Sequence, residues 1–227
     1  MTNAAPDTTR DAILTAARAL FLTRGYHKTA MRTIAQEAGI STGPLYFHFT
    51  SKAEIFFHIC RQGYDRLLAA FSRAAGSGDA AGLRLRAMFL AYWDFFHTEP
   101  ELFAILHLAE NPMAGIDLPP EPREKLDALH RQTIALMEGV IREGIAAGQL
   151  RAFDPPSLAL FLHSIAEGVF RAHKSGALRD AGTTLDAMIA TAVGVIGQGM
   201  VLIPTAPAHP CRETPRGFVH HKPRTLE

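Results

Sequence analysis

Apolar residues recur at i, i+3, i+4 and i+7 along most of the chain, and no stretch sustains an alternation of apolar and polar residues. A period of 3.6 lines one helical face with hydrophobic side chains, whereas a half-buried strand needs period two, so the pattern predicts an all-α fold of about nine helices. With 227 residues, the chain is long enough to bury a sizeable core in one domain or two small ones. An apolar share of 48% and a charged share of 20% exclude a wholly disordered chain.

Helix signals are sharpest near the N-terminus. A first helix starts after Thr8, with Asp11 as its capping partner, carries Ile13, Leu14, Ala17, Leu20 and Phe21 on one stripe, and ends at Gly25. Thr29 reads as the N-cap of a short second helix with Met31, Ile34, Ala35 and Ala38 inward, and Gly39 stands where a left-handed C-terminal glycine belongs. Ser41 then reads as the N-cap of a third helix, Pro44 is tolerated in its first turn, and Leu45 and Phe49 face inward. The stretch GISTG, residues 39–43, also fits the G-x-S-x-G pattern of a hydrolase nucleophile elbow. An elbow needs a strand entering it, and the preceding MRTIAQEA is helical by period and propensity, so no enzyme is expected. Ser51-Lys52-Ala53-Glu54 is a capping box opening a fourth helix that carries Ile55, Ile59, Leu67, Leu68 and Phe71 and breaks at Gly76-Ser77-Gly78.

Two short helices joined at Gly39-Ile40-Ser41 make a helix-turn-helix by spacing. The second helix of such a motif enters the major groove of DNA, where its early residues reach base edges. Ser41, Thr42, Tyr46 and His48 supply hydrogen-bonding side chains there, Gly43 permits close approach, and Lys52 stands ready for a phosphate. Charge agrees: residues 1–52 hold six basic and three acidic side chains, while residues 53–203 hold thirteen and seventeen.

The run from Arg10 to Ile55 resembles the DNA-binding domain of the TetR (TetR/AcrR) bacterial transcriptional regulators. The match lies in IL-x-AA-x-x-LF at residues 13–21, Gly25-Tyr26, Thr29, Ile34-Ala35, Ala38-Gly39-Ile40-Ser41, Gly43, Leu45-Tyr46-Phe47-His48-Phe49 and Ser51-Lys52. Pro44 departs from the small polar residue more usual there. The resemblance implies contacts to an operator in double-stranded DNA from Thr29, Arg32, Thr33, Ser41, Thr42, Gly43, Tyr46, Phe47, His48 and Lys52. It further implies a homodimer whose helical body binds a small effector that moves the two reading heads out of register, most simply a repressor released from a palindromic operator. A regulator of the same fold without an effector is the alternative, and a large apolar cavity in the body would separate the two.

Later helices are expected over about residues 79–97, 100–109, 120–147, 155–175 and 183–203. Their bulky apolar residues, Phe89, Tyr92, Trp93, Phe96, Phe103, Leu106, Met137, Ile141, Phe161 and Phe170, are candidates for an effector lining. His107, His163, Ser164 and Glu167 are polar residues within those stretches that could orient a ligand. His163 and Glu167, four apart, suit a hydrogen-bonded pair better than a metal pair, because further ligands are not visible in the sequence. No metal or cofactor is expected, and the effector should be hydrophobic.

Residues 187–203 carry no charge, but three glycines and a glutamine interrupt them, so they read as a protein-buried helix rather than a membrane span. With residues 155–175 they are apolar over more than one face, and Ala187, Ala190, Gly194 and Gly197 allow close approach, so pairing with a second copy is expected. The predicted division is a DNA-binding head over 1–52, an effector-binding and dimerisation body over 53–203, and a disordered tail rich in Pro and His over 204–227. Cys60 and Cys211 are not expected to pair, and with no secretory signal the expected location is the cytoplasm.

Overall fold

The computed structural model describes residues 8–110 and 114–200, and all regular structure among them is helical. The elements are α1 (Thr8–Arg24), α2 (Met31–Glu37), α3 (Thr42–His48), α4 (Lys52–Ala75), α5 (Ala81–Thr98), α6 (Pro100–Glu110), α7 (Pro120–Ala146), α8 (Pro155–Ser175), α9 (Ala177–Asp180) and α10 (Leu185–Met200). The described residues thus hold ten helices, one more than the nine segments expected. The added one, α9, is a single turn between two left-handed glycines, Gly176 and Gly182, too short for a periodic pattern to reveal. Residues 201–203 and the tail lie outside the described residues.

Three helices close the N-terminal head around Ile13, Leu14, Ala17, Leu20 and Phe21 of α1, Ile34 and Ala35 of α2, and Leu45 of α3. Phe21, Tyr26 and Phe56 meet edge-to-face or tilted with centroids 5.2–5.6 Å apart and lock the α1–α2 loop onto α4. The α2–α3 turn ends α2 in a Schellman motif. Gly39 has φ +71°, its N–H donates to Gln36 O, and the Ile40 N–H donates to Ala35 O.

Three capping expectations change. Ala30, not Thr29, occupies the N-cap position of α2; Thr29 is buried and its hydroxyl donates to Gly25 O at 2.9 Å, satisfying a carbonyl at the end of α1. Ser41 holds the N-cap position of α3 with extended backbone, yet its side chain makes no capping hydrogen bond. Ser51 does cap α4, accepting from Glu54 N, but the Glu54 carboxylate reaches back to the N–H and hydroxyl of Thr50 instead of the N–H of Ser51.

α4 joins head and body in one rod. Phe56 lies in the head core, while Leu67 and Phe71 pack among α5, α6 and α7. The two sides share this helix and are further tied by an Arg18–Glu101 ion pair at 2.8 Å and by His27 bonded to Gly115 O at 2.9 Å. α7 packs tightly on the start of α5 at Gly144, where an added Cβ would lie 2.5 Å from Ala81 Cβ. α5 begins two residues later than expected because Ser77 and Asp79 bond each other in the preceding turn, while Gln149 accepts from Ala81 N and so caps α5 from a distant loop.

Candidate nucleic-acid interface and effector cavity

α3 presents opposite faces to core and solvent. Leu45 and Phe49 are 0% and 1% exposed, and the four-residue spacing that buries them leaves Ser41, Thr42, Gly43 and Pro44 exposed. Tyr46 and Phe47 are 53% and 87% exposed. An exposed phenylalanine at the tip of a head is the costliest surface feature there, and water gives it no return. The Phe47 ring points out into solvent and meets His48 edge-to-face, with centroids 5.4 Å apart. Arg32 is exposed and Thr33 half-buried on the adjoining face of α2.

Two expected contact residues point elsewhere. Thr29 is buried in the loop it braces and has no surface to offer a phosphate. Lys52 folds back onto the α1–α2 loop: its ammonium donates to Tyr26 O at 2.7 Å and sits 4.3 Å from the Tyr26 ring centroid. Burial holds its pKa below the ordinary lysine value.

In the body, a cavity of about 490 Å³ opens between α4, α5, α7, α8 and α10. Phe71, Leu85, Phe89, Tyr92, Met137, Leu162, Val193 and Met200 supply most of its wall, and Arg86, Gln149 and His163 are the strongly polar groups on its lining. Its size and apolar character fit a small-molecule site. Of the expected lining residues, Phe89, Tyr92 and Met137 reach it.

The others do not. Trp93 and Ile141 are core, and Phe96, Phe103 and Phe170 meet one another edge-to-face with centroids 4.8–5.7 Å apart. Leu106 fills the gap left by Gly63, where a Cβ would lie 3.1 Å away. Phe161 and Ser164 lie on the outer face of α8, Phe161 56% exposed and Ser164 bonded to Leu160 O. Periodicity reported that these residues are apolar or lie on a helix, but not which neighbour each face meets.

Beside the apolar cavity lies a polar network that the sequence did not reveal as a unit. The Tyr92 hydroxyl donates to Glu167 Oε1 at 2.5 Å and meets His107 Nε2 at 2.9 Å, and His107 Nδ1 lies 3.2 Å from Glu167 Oε2. Both oxygens of Glu167 are thus engaged by Tyr92 and His107, which replaces the expected His163–Glu167 hydrogen bond. His163 instead meets the ring of His130 edge-to-face, with centroids 5.0 Å apart. His130 Nδ1 lies 3.1 Å from Glu110 Oε1, which also accepts from the Tyr64 hydroxyl at 2.5 Å. A second cavity of about 360 Å³ is lined by Tyr64, Glu110, Arg123, His130, His163 and Glu167, among others. Tyr64, Glu110 and His130 were missed because they come from α4, α6 and α7 and share no local spacing.

The network sets its own protonation. Burial pushes the Glu110 carboxyl upward, but hydrogen bonds from His130 and Tyr64 outweigh it and hold the group below the usual carboxylate range. Hydrogen bonding to Glu110 raises the pKa of His130, whereas burial lowers that of His163. Burial and the neighbouring Glu167 carboxylate push the Tyr92 hydroxyl well above its ordinary value.

Residues 13–59 match the family model described as bacterial regulatory proteins, tetR family. The chain is 33% identical over 100 residues to the HTH-type transcriptional activator FasR of Mycolicibacterium smegmatis, covering 44% of this chain but only 46% of FasR. It is 29% identical over 173 residues to the HTH-type transcriptional repressor KstR2 of Rhodococcus jostii, covering 74% of this chain and 80% of that protein. Among solved structures, the TetR family transcriptional regulator PfmR from Thermus thermophilus superposes with a TM-score of 0.68 at 26% identity, over 82% of this chain and 97% of PfmR.

Proposed function

The chain belongs to the TetR family of bacterial regulatory proteins, and on that footing we propose that it is a homodimeric transcriptional regulator whose head, residues 1–52, reads a palindromic operator and whose body, residues 53–203, answers to a small hydrophobic effector. The observation that carries the reading is α3, which keeps Leu45 in the core while holding Tyr46 and Phe47 out in water. Ser41, Thr42 and Gly43 at its exposed start, with Arg32 and Thr33 from α2, complete a surface suited to a major groove. Thr29 and Lys52 act indirectly, holding the loop that positions α2 and α3.

The GISTG segment leaves one helix and enters another, so Ser41 lacks the strand-to-helix elbow that exposes a nucleophile. The reading is therefore a binding protein, not an enzyme, in keeping with relatives whose names describe regulators.

The 490 Å³ cavity favours a ligand-responsive regulator over one without an effector. An effector with an apolar body would fill the wall from Phe71 to Met200, and an anionic end would meet Arg86. α4 transmits the event. Phe71 lines the cavity and Phe56 lies in the head core fifteen residues earlier, about 22 Å along one helix. The effector releases DNA only by binding the incompetent arrangement better than the competent one. Dimerisation falls to α8 and α10, whose outer faces leave Leu160, Phe161 and Val195 more than half exposed.

Sequencing the DNA fragments retained by the protein, with and without long-chain apolar ligands, tests the reading. Enrichment of a two-fold symmetric sequence that falls when ligand is added is expected. Retention no better than for random DNA would overturn it.

A further inference from the structure

We propose that Glu110, His130 and His163 form a binding site for a divalent first-row transition ion, such as Zn²⁺, in the polar cavity between α6, α7 and α8. The three side chains come from three helices, and each brings one ligand atom to within 4.8 Å of the other two. All three line the cavity of about 360 Å³ that leaves room for the ion.

The spacing is that of a ligand set before an ion draws it together. Bonds of about 2.0–2.1 Å from a tetrahedral ion to nitrogen and oxygen place neighbouring ligand atoms about 3.3 Å apart. His130 Nδ1 and Glu110 Oε1 stand 3.1 Å apart. That contact is the ion-free form, and an ion would replace the proton the two groups share. Two imidazoles and one carboxylate select zinc, iron or nickel rather than magnesium or calcium, which favour all-oxygen shells.

The surroundings orient the ligands. The Tyr64 hydroxyl donates to Glu110 at 2.5 Å, an outer-sphere bond that fixes the carboxylate. Glu110 also lies within 4.8 Å of His107 and Glu167. Those two residues are bonded to the Tyr92 hydroxyl, and His107 Nδ1 lies 3.2 Å from Glu167 Oε2. Three protein ligands leave at least one coordination position open. His163 also lines the 490 Å³ chamber, which places the site at the boundary between the polar and apolar cavities. The inference rests on this geometry and not on the regulatory reading.

The test is a Co²⁺ titration of the metal-stripped full-length protein, followed by visible absorption. Cys211 is first replaced by Ser, and His209, His220 and His221 by Ala, so that thiol and imidazole donors in the tail do not contribute. The expected result is a ligand-field spectrum saturating at one equivalent per chain and displaced by Zn²⁺. Glu110→Gln and His163→Asn should each weaken binding by at least about tenfold, with helical circular dichroism unchanged, whereas His97→Ala should leave it intact. X-ray absorption of the zinc-loaded protein provides a readout that needs no variant: a shell of nitrogen and oxygen with two imidazoles is expected. No saturable cobalt spectrum, a spectrum indifferent to both ligand variants, or a sulfur-containing shell would each overturn the site.

Discussion

Replacing Leu45 by Ala tests which face of α3 belongs to the protein and which to DNA. Leu45 is 0% exposed, and with Phe49 it anchors a helix of seven residues, too short to persist without packing. Truncating such a leucine costs about 2.7–5 kcal/mol, depending on how far the site collapses. Against a whole-domain stability of about 5–15 kcal/mol, that is a large share. The neighbouring Tyr46→Ala and Phe47→Ala remove side chains that are 53% and 87% exposed, so each should change stability by no more than about 0.5 kcal/mol. Urea denaturation followed by far-ultraviolet circular dichroism reads both numbers. The expected pattern is a clearly lower midpoint for Leu45→Ala, with both surface variants near the parent. A Leu45→Ala loss below about 1 kcal/mol, or a larger loss for Phe47→Ala, would mean that α3 docks by the opposite face.

Three further outcomes follow from other parts of the structure. Gly144→Ala should lower thermal stability by about 1–3 kcal/mol, because its Cβ would meet Ala81 at 2.5 Å and Leu150 at 2.7 Å. Gly139→Ala on the same helix meets nothing within 4 Å and should be neutral or stabilising, and equal effects in calorimetry would contradict the packing. The His130–Glu110 pair should stabilise in a defined pH window. The raised His130 contribution is complete below 6.5 and fades as pH rises through its folded value, while the depressed Glu110 contribution is present above 4.5 and fades as pH falls through its folded value. The stability lost on Glu110→Gln should therefore be greatest between about pH 4.5 and 6.5, and a flat difference across a pH series would refute the pairing. Phe161→Glu with Val195→Glu places charges on the outer faces of α8 and α10; sedimentation should then report monomers where the parent gives dimers, and an unchanged mass would remove that interface.

The residues of the head were legible because its function is local. Leu45 and Phe49 follow from a four-residue spacing, and Gly39 follows from the need for positive φ at the close of α2. The placements of Thr29 and Lys52 were not legible, because a threonine before a helix and a lysine at a helix start are generic signals. Their partners, Gly25 O and Tyr26 O, come from a loop whose path only packing decides. The body behaved differently. Phe89 and Phe96 are seven residues apart on one helix and both partly buried, yet Phe89 lines the cavity while Phe96 meets Phe103 and Phe170 edge-to-face, a difference set by which neighbours pack at each end of α5. His163 was singled out from the sequence, but His130 and Glu110, which give it a chemical setting, lie 33 and 53 residues away and required the packed bundle.

The central claim is that the exposed start and tip of α3 read DNA. Affinity for a selected palindromic operator should be compared at one fixed salt concentration for the parent, Tyr46→Ala and Phe47→Ala, each verified as folded by its urea midpoint. The account predicts at least about tenfold weaker operator binding for Tyr46→Ala, a loss of about 1.4 kcal/mol, with a smaller effect on random DNA. Parent-level operator affinity in both variants would contradict it.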